Sequence, residues 1–337
     1  MPPEMENITT LETLEGETWI STGAEPLARP NDEGIVISYR CIQIDGGKAL
    51  AKVLKRCSLP RLTHINLRAI ALEDDGAKAL SVALERGAFP QLKRLDLSIN
   101  QIGPPGAKAL ALALERGAFD ALEHADFSWN GFSAASAAAF ARALERGSFP
   151  LLQCIRFQAN YFGAEGAKAI ATGFERGSFQ KLECMSFSRN AIGDEGAQAL
   201  ASALVRGSFP SLKRLELHNN GIGNEGTEAL ASALERGSFQ ELKVVSLYQN
   251  ATGEEGVAIL LGTLHRVTLP MLEVITLSDD DAVNLRMRAA VAGARQRGRM
   301  ILFLGAENDR CDAAARRFIA VDGDRAATWR IWKFMCS

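Results

Sequence analysis

Apolar residues recur along this chain with a period of 30. One leucine column runs through Leu62, Leu92, Leu122, Leu152, Leu182, Leu212, Leu242 and Leu272. Two further apolar columns follow three and five places later, as in Leu95 and Leu97, Ile155 and Phe157, Leu215 and Leu217. Asparagine stands at 100, 130, 160, 190, 220 and 250. No insertion interrupts the spacing, and nine copies are visible, the first and last degraded.

Inside each copy the periodicity changes. "LKRLDLSIN" at 92–100 alternates apolar and polar residues as a strand with one buried face does. After a turn marked by Gly103 and Gly106, "AKALALALERG" places Ala109, Leu110, Ala113 and Leu114 at helical spacing. Gly117 is expected to close that helix in a left-handed conformation, with Phe119 folding back onto the core. Each copy is thus predicted to be a strand, a turn, a helix and a short return. Parallel strands sit about 4.8 Å apart, whereas packed helices need about 8–10 Å. The stack must therefore bend, which predicts an α/β solenoid, a horseshoe with parallel strands on its concave face and helices on its convex face.

The pattern L-x-x-L-x-L-x-x-N-x-I, carried by Leu92, Leu95, Leu97, Asn100 and Ile102, resembles the leucine-rich repeat. A full helix after G-x-x-G is similar to the ribonuclease-inhibitor-like subclass, which includes Ran GTPase-activating protein and the sensor end of NOD-like receptors. The resemblance covers residues ~32–282. It implies a scaffold for partners and does not fix a function. The predicted organisation is an acidic N-terminal cap at 1–31, the repeats at 32–282, and a basic C-terminal cap and tail at 283–337.

Composition removes several classes of function. A net charge of -2 over 337 residues gives no electrostatic case for nucleic acid. No run approaches the ~18 apolar residues that a membrane span requires; "VAILLGTLHRVTLPML" at 257–272 is broken by Gly, His, Arg and Pro. The acidic start lacks the basic and apolar regions of a secretory signal. Six cysteines in a chain this long do not make a disulfide framework. Together these predict a reduced, cytoplasmic protein without an integral membrane segment.

Repeated polar columns are expected to be structural. Asparagine suits the turn after each strand, where its amide can satisfy backbone groups. Arg86, Arg116, Arg146, Arg176, Arg206 and Arg236 fall in the last helical turn, close to Glu85, Glu115, Glu145, Glu175 and Glu235. The positions between the strand leucines change from copy to copy, and these are the candidate partner-binding surface. They comprise Arg94, Asp96, His124, Asp126, Arg156, Arg214, Glu216, His218 and Tyr248, with Trp129, Tyr161 and Arg189 just beyond the strands. Tyr, Trp and Arg are enriched at binding hot spots, and the mixed charges would set register with a protein partner. His218, beside Glu216 and Arg214, is expected at the surface as a pH-sensitive contact.

Chemistry on this face is not expected. His124, Cys154 and Cys184 share one column, but a row across a sheet does not converge as tetrahedral zinc ligands must. A Cys154–Cys184 disulfide remains within reach. Neither a phosphate-binding loop nor a dinucleotide fingerprint is present. No cofactor, metal or catalytic residue is predicted, and the chain reads as a non-catalytic interaction module.

Two alternatives follow from the resemblance, a GTPase-activating regulator and an immune-sensor or effector-type recognition protein. Ran GTPase-activating proteins carry an acidic tail and a catalytic arginine near an early strand. Here the tail is basic, with eleven Lys/Arg against six Asp/Glu over 281–337, and Arg40 and Arg68 match no family motif. A helix at ~283–297 and the strand-like "MILFLG" are expected to close the last repeat. "WRIWKF" at 329–334 is expected either to pack in that cap or to touch a partner or an anionic membrane surface.

Overall fold

The computed structural model describes residues 62–277 apart from 118, 147–148, 208, 238, 240, 267–268, 270 and 273, together with Pro60 and strands at 10–14, 17–21, 34–36 and 301–304. The proposed boundaries at 31 and 283, Arg40, the expected helix at ~283–297 and the segment 329–334 lie outside the described residues.

Strands β1 (Thr10–Leu14) and β2 (Glu17–Ser21) form an antiparallel pair. The main sheet is parallel throughout. Its strands run in chain order: β3 (Gly34–Val36), β4 (His64–Asn66), β5 (Arg94–Asp96), β6 (His124–Asp126), β7 (Cys154–Arg156), β8 (Cys184–Ser186), β9 (Arg214–Glu216), β10 (Val244–Ser246), β11 (Val274–Leu277) and β12 (Ile301–Leu304). From β3 to β11 every residue pairs with the one 30 places on, as Leu95 does with Ala125 and Ala125 with Ile155. The step to β12 is shorter, with Val274 opposite Ile301.

Among the described residues, seven helices lie between these strands: α1 (Glu73–Glu85), α2 (Pro104–Arg116), α3 (Ala134–Arg146), α4 (Gly163–Arg176), α5 (Gly193–Arg206), α6 (Asn224–Arg236) and α7 (Glu254–Arg266). From β4 to β10 the middle residue of each strand is buried toward them, as are Leu97, Phe127, Phe157, Phe187 and Leu217. The result is an α/β solenoid with one continuous core between sheet and helices. At its centre aromatic residues replace leucine: Phe127 packs against Phe132, Phe140 and Phe157, at centroid distances of 6.1, 4.9 and 5.5 Å. Their bulk sits beside the short Ala125 and leaves a void of about 10 Å³.

The asparagine column acts as expected. Asn130 Oδ1 accepts from the backbone N–H groups of Asn100 and Ile102, at 3.1 and 3.0 Å. Its amide nitrogen donates to the carbonyls of Leu97, Phe127 and Ser128, at 3.0, 3.1 and 3.2 Å. Each asparagine thereby ties its own turn to the preceding one. The arginines also reach back one repeat: Arg116 to Glu85 at 2.8 Å, Arg176 to Glu145 at 2.9 Å, and Arg146 to Glu115.

Two expectations about glycine need correction. Gly117 is extended (φ -82°), as are Gly177, Gly207 and Gly237. What excludes a side chain there is close packing. A Cβ on Gly117 would lie 2.6 Å from the Phe119 ring and 2.9 Å from the Ala113 carbonyl oxygen. Phe119 is indeed buried. Gly106 is inside the helix, not in the turn before it. Its N–H and that of Gly103 donate to Asp74 Oδ1, at 2.8 and 2.9 Å. Asp194 serves Gly223 and Gly226 in the same way, and Asn224 serves Gly253 and Gly256. The cap of each of these helices therefore comes from the preceding helix's first turn.

Candidate functional site

From β4 to β10 the outer two residues of each strand face away from the helices, and beyond each of these strands the backbone turns through a left-handed residue. That residue is Ala69, Ile99, Trp129, Ala159, Arg189, Asn219 or Gln249, with φ between 53° and 59°. This conformation suits Gly and Asn and is costly for bulky or β-branched residues. It also throws the side chain outward. Ile99 is 38% exposed and Trp129 47% exposed, and Tyr161, two places past Ala159, is 75% exposed. The guanidinium of Arg189 lies 5.5 Å from the centre of the Trp129 ring, an attractive cation–π arrangement. Ala159 between them is too small to block the approach.

The rest of the candidate surface divides by its ties. Arg94 is exposed. Asp96 and Asp126 are half-buried, and each accepts the backbone N–H two residues on, from Ser98 and Ser128, both at 2.9 Å. These are Asx-turn bonds that stabilise the chain's exit from the strand. Ser98 also donates to Asp96 at 2.6 Å and accepts from Arg68 at 3.0 Å. Arg156 approaches Asp126 at 3.6 Å, and Arg214 approaches Glu216 at 3.9 Å. So the two signs of charge are partly spent within the face. Ser186, beside Arg156 in the sheet register, is buried and its hydroxyl has no hydrogen-bond partner.

His218 departs from the surface position expected of it. It is only 8% exposed, stacked on Tyr248 at 4.2 Å, with Nδ1 2.8 Å from the Ser188 hydroxyl and 3.3 Å from that of Ser246. Burial, followed by the charge of Arg189, lowers its pKa to about 4. The ring is therefore neutral near pH 7, and Tyr248 covers it. Sequence spacing alone could not reveal this, because the cover comes from the next repeat.

His124, Cys154 and Cys184 lie side by side, in register, on β6, β7 and β8. Both cysteines are buried and free. A hydrogen bond from Cys184, a second from His124 and the charge of Arg156 hold the Cys154 thiol below its ordinary pKa, against the effect of burial. The hydrogen bond and burial push Cys184 the other way. Among the described residues, no group of three or more His, Cys, Asp or Glu is placed to hold a metal ion, and no helix is long and apolar enough to cross a membrane.

The regular ladder and its variable outer face define a repeat scaffold, the class of protein that presents a surface instead of enclosing a pocket. The Leucine Rich repeat family model matches residues 90–111, 180–201 and 210–231. These segments run from two residues before the first strand leucine of a repeat into its helix, and with the unbroken ladder they support a leucine-rich repeat protein. No curated protein matches the chain. Leucine-rich repeats commonly serve as protein-interaction modules.

Proposed function

We propose that this chain is a non-catalytic, cytoplasmic interaction module of the ribonuclease-inhibitor-like kind, receiving a partner protein on its concave face. The reading is supported above all by Ile99 and Trp129. Each repeat needs a left-handed residue at this position, and Asn219 meets the need cheaply. A β-branched residue and the largest aromatic there raise the folded state's energy by about 1–2 kcal/mol each and still leave 38% and 47% of their surfaces exposed. Strained, exposed, bulky side chains of this sort suit binding. With Tyr161 and the Arg189–Trp129 contact they form an aromatic and cationic rim of hot-spot composition. Arg94, Arg156, Arg214 and Glu216 continue that surface along the sheet, and Tyr248 closes its far end.

The test is affinity capture by the full chain and by a Trp129→Asn/Tyr161→Ala variant, read by mass spectrometry. A protein retained by the parent chain and lost by the variant, at a thermal stability no lower than the parent's, is the expected outcome. Equal retention of every captured protein by the two would overturn the proposal. GTPase activation and immune recognition are left without a supporting observation: Arg68 is engaged by Ser98 and Arg40 lies outside the described residues.

A further inference from the structure

The cysteine pair at the middle of the sheet is not explained by partner recognition. Cys154 and Cys184 are matched residues on neighbouring parallel strands, so their side chains leave the same face side by side. Matched Cα atoms on adjacent strands are about 4.8 Å apart, inside the 4.4–6.8 Å range that disulfides span. The curvature argued above brings side chains on the strand side closer still. Each residue keeps a small opening to that face, at 6% and 9% exposure, sufficient for a molecule the size of water.

The surroundings of the two sulfurs differ. Cys154 is flanked by His124 on one neighbouring strand and by Arg156 two places along its own. It has a hydrogen-bonding imidazole and a cation to favour thiolate. Cys184 is flanked on the next strand by Arg214, and it feels the opposing charges of Glu216 and Arg156 and the sulfur of Cys154 itself. An imidazole, which can take up a thiol proton, stands beside Cys154, whereas the matched neighbour of Cys184 is a guanidinium, which cannot; that difference favours Cys154 as the attacking sulfur.

We propose that Cys154 and Cys184 form a hydroperoxide-oxidised dithiol, with Cys154 as the attacking sulfur and Cys184 as the resolving one. The Cys154 thiolate attacks one oxygen of the hydroperoxide. The O–O bond breaks, and the second oxygen leaves as alcohol, or as water from hydrogen peroxide, after taking up a proton. Cys154 is then a sulfenic acid. The Cys184 sulfur attacks it, the S–S bond forms and the S–O bond breaks. Hydroxide leaves with the Cys184 proton as water. The dithiol loses two protons and two electrons, which reduce the hydroperoxide to alcohol and water. A thiol reductant reverses the bond by exchange.

The full, reduced chain is treated with stoichiometric hydrogen peroxide, alkylated, digested without reductant and read by mass spectrometry. The expected product is a Cys154–Cys184 linked peptide lighter by two hydrogens. Cys184→Ser should stop the reaction at a Cys154 sulfenic acid that dimedone traps. Cys154→Ser should slow labelling of Cys184 by about tenfold or more. Bonds forming instead through Cys41, Cys57, Cys311 or Cys336 would overturn the proposal, as would both thiols remaining fully alkylatable. So would equal dimedone labelling of Cys184 in Cys154→Ser. If a serine variant fails to match the parent's circular dichroism, the linked peptide from the parent chain decides alone.

Discussion

Replacing Asn130 with alanine probes the ladder at its most defined point. The side chain makes five polar contacts, but they are not equally exposed to loss. The carbonyls of Leu97 and Phe127 also accept from Asn100 and Asn160, and that of Ser128 accepts from the Ile99 N–H, so each keeps a partner. The N–H groups of Asn100 and Ile102 instead donate to Oδ1 of Asn130, and both residues are fully buried. Each orphaned buried donor costs about 1–3 kcal/mol. The expected destabilisation is therefore about 2–6 kcal/mol, with the small cavity adding toward the upper end. Urea titration reads the total, and amide hydrogen exchange locates it. Protection should fall at Asn100 and Ile102 while Asn190 and Ile222, served by Asn220 and Asn250, stay protected. A loss under about 1 kcal/mol with Ile102 still protected would refute the idea that the amide holds the turn.

Other perturbations separate causes in the same way. Gly207→Ala should cost about 1–3 kcal/mol by overpacking, since its Cβ would meet the Phe209 ring at 2.6 Å and the Ala203 carbonyl at 2.8 Å; adding Phe209→Leu should recover part of that in a double-mutant cycle. Gly87→Ala meets nothing, and any loss there comes from its φ of +69° alone. Ile99→Asn should raise the melting temperature slightly, by relieving a left-handed β-branched residue, and weaken partner capture. His218 binds a proton less readily folded (pKa about 4) than unfolded (6.5). Stability should accordingly fall as pH drops from about 6.5 toward 4, by up to roughly 3 kcal/mol, and His218→Gln should flatten that slope in denaturation midpoints. Arg116→Ala, which breaks an exposed pair with Glu85, should change stability by less than about 1 kcal/mol.

Whatever repeats every 30 residues could be read directly from the sequence. Leucine columns, strand and helix order, the asparagine bonds and the arginine–glutamate pairing all follow from one-dimensional spacing. Features set by a particular neighbour could not. Tyr248 buries His218, and Asp74 caps a helix 30 residues later, because of which side chain stands one repeat away. Asp96 resembled a partner contact because its type varied with the surface columns, yet its carboxylate is tied to its own turn. The glycines after the helices suggested a left-handed cap because that is glycine's commonest service; Gly87 is left-handed, but at Gly117, Gly177, Gly207 and Gly237 the Phe two places on imposes the demand. Trp129 and Tyr161 were recognisable by residue type, and their strain and exposure required coordinates.

The forward caps are not evenly distributed. Asp74, Asp194 and Asn224 supply them toward the ends, whereas the equivalent places at 104, 134 and 164 hold Pro, Ala and Ala. It is in that middle stretch that phenylalanines crowd the core. The flanks are thus tied by polar bonds running in both chain directions, while the centre leans more on burial of aromatic surface. Burial weakens on cooling in a way hydrogen bonds do not. The solenoid carries two thermal characters in one continuous body: chilled, it should loosen first at its middle, where the rim of Trp129 and Tyr161 is mounted.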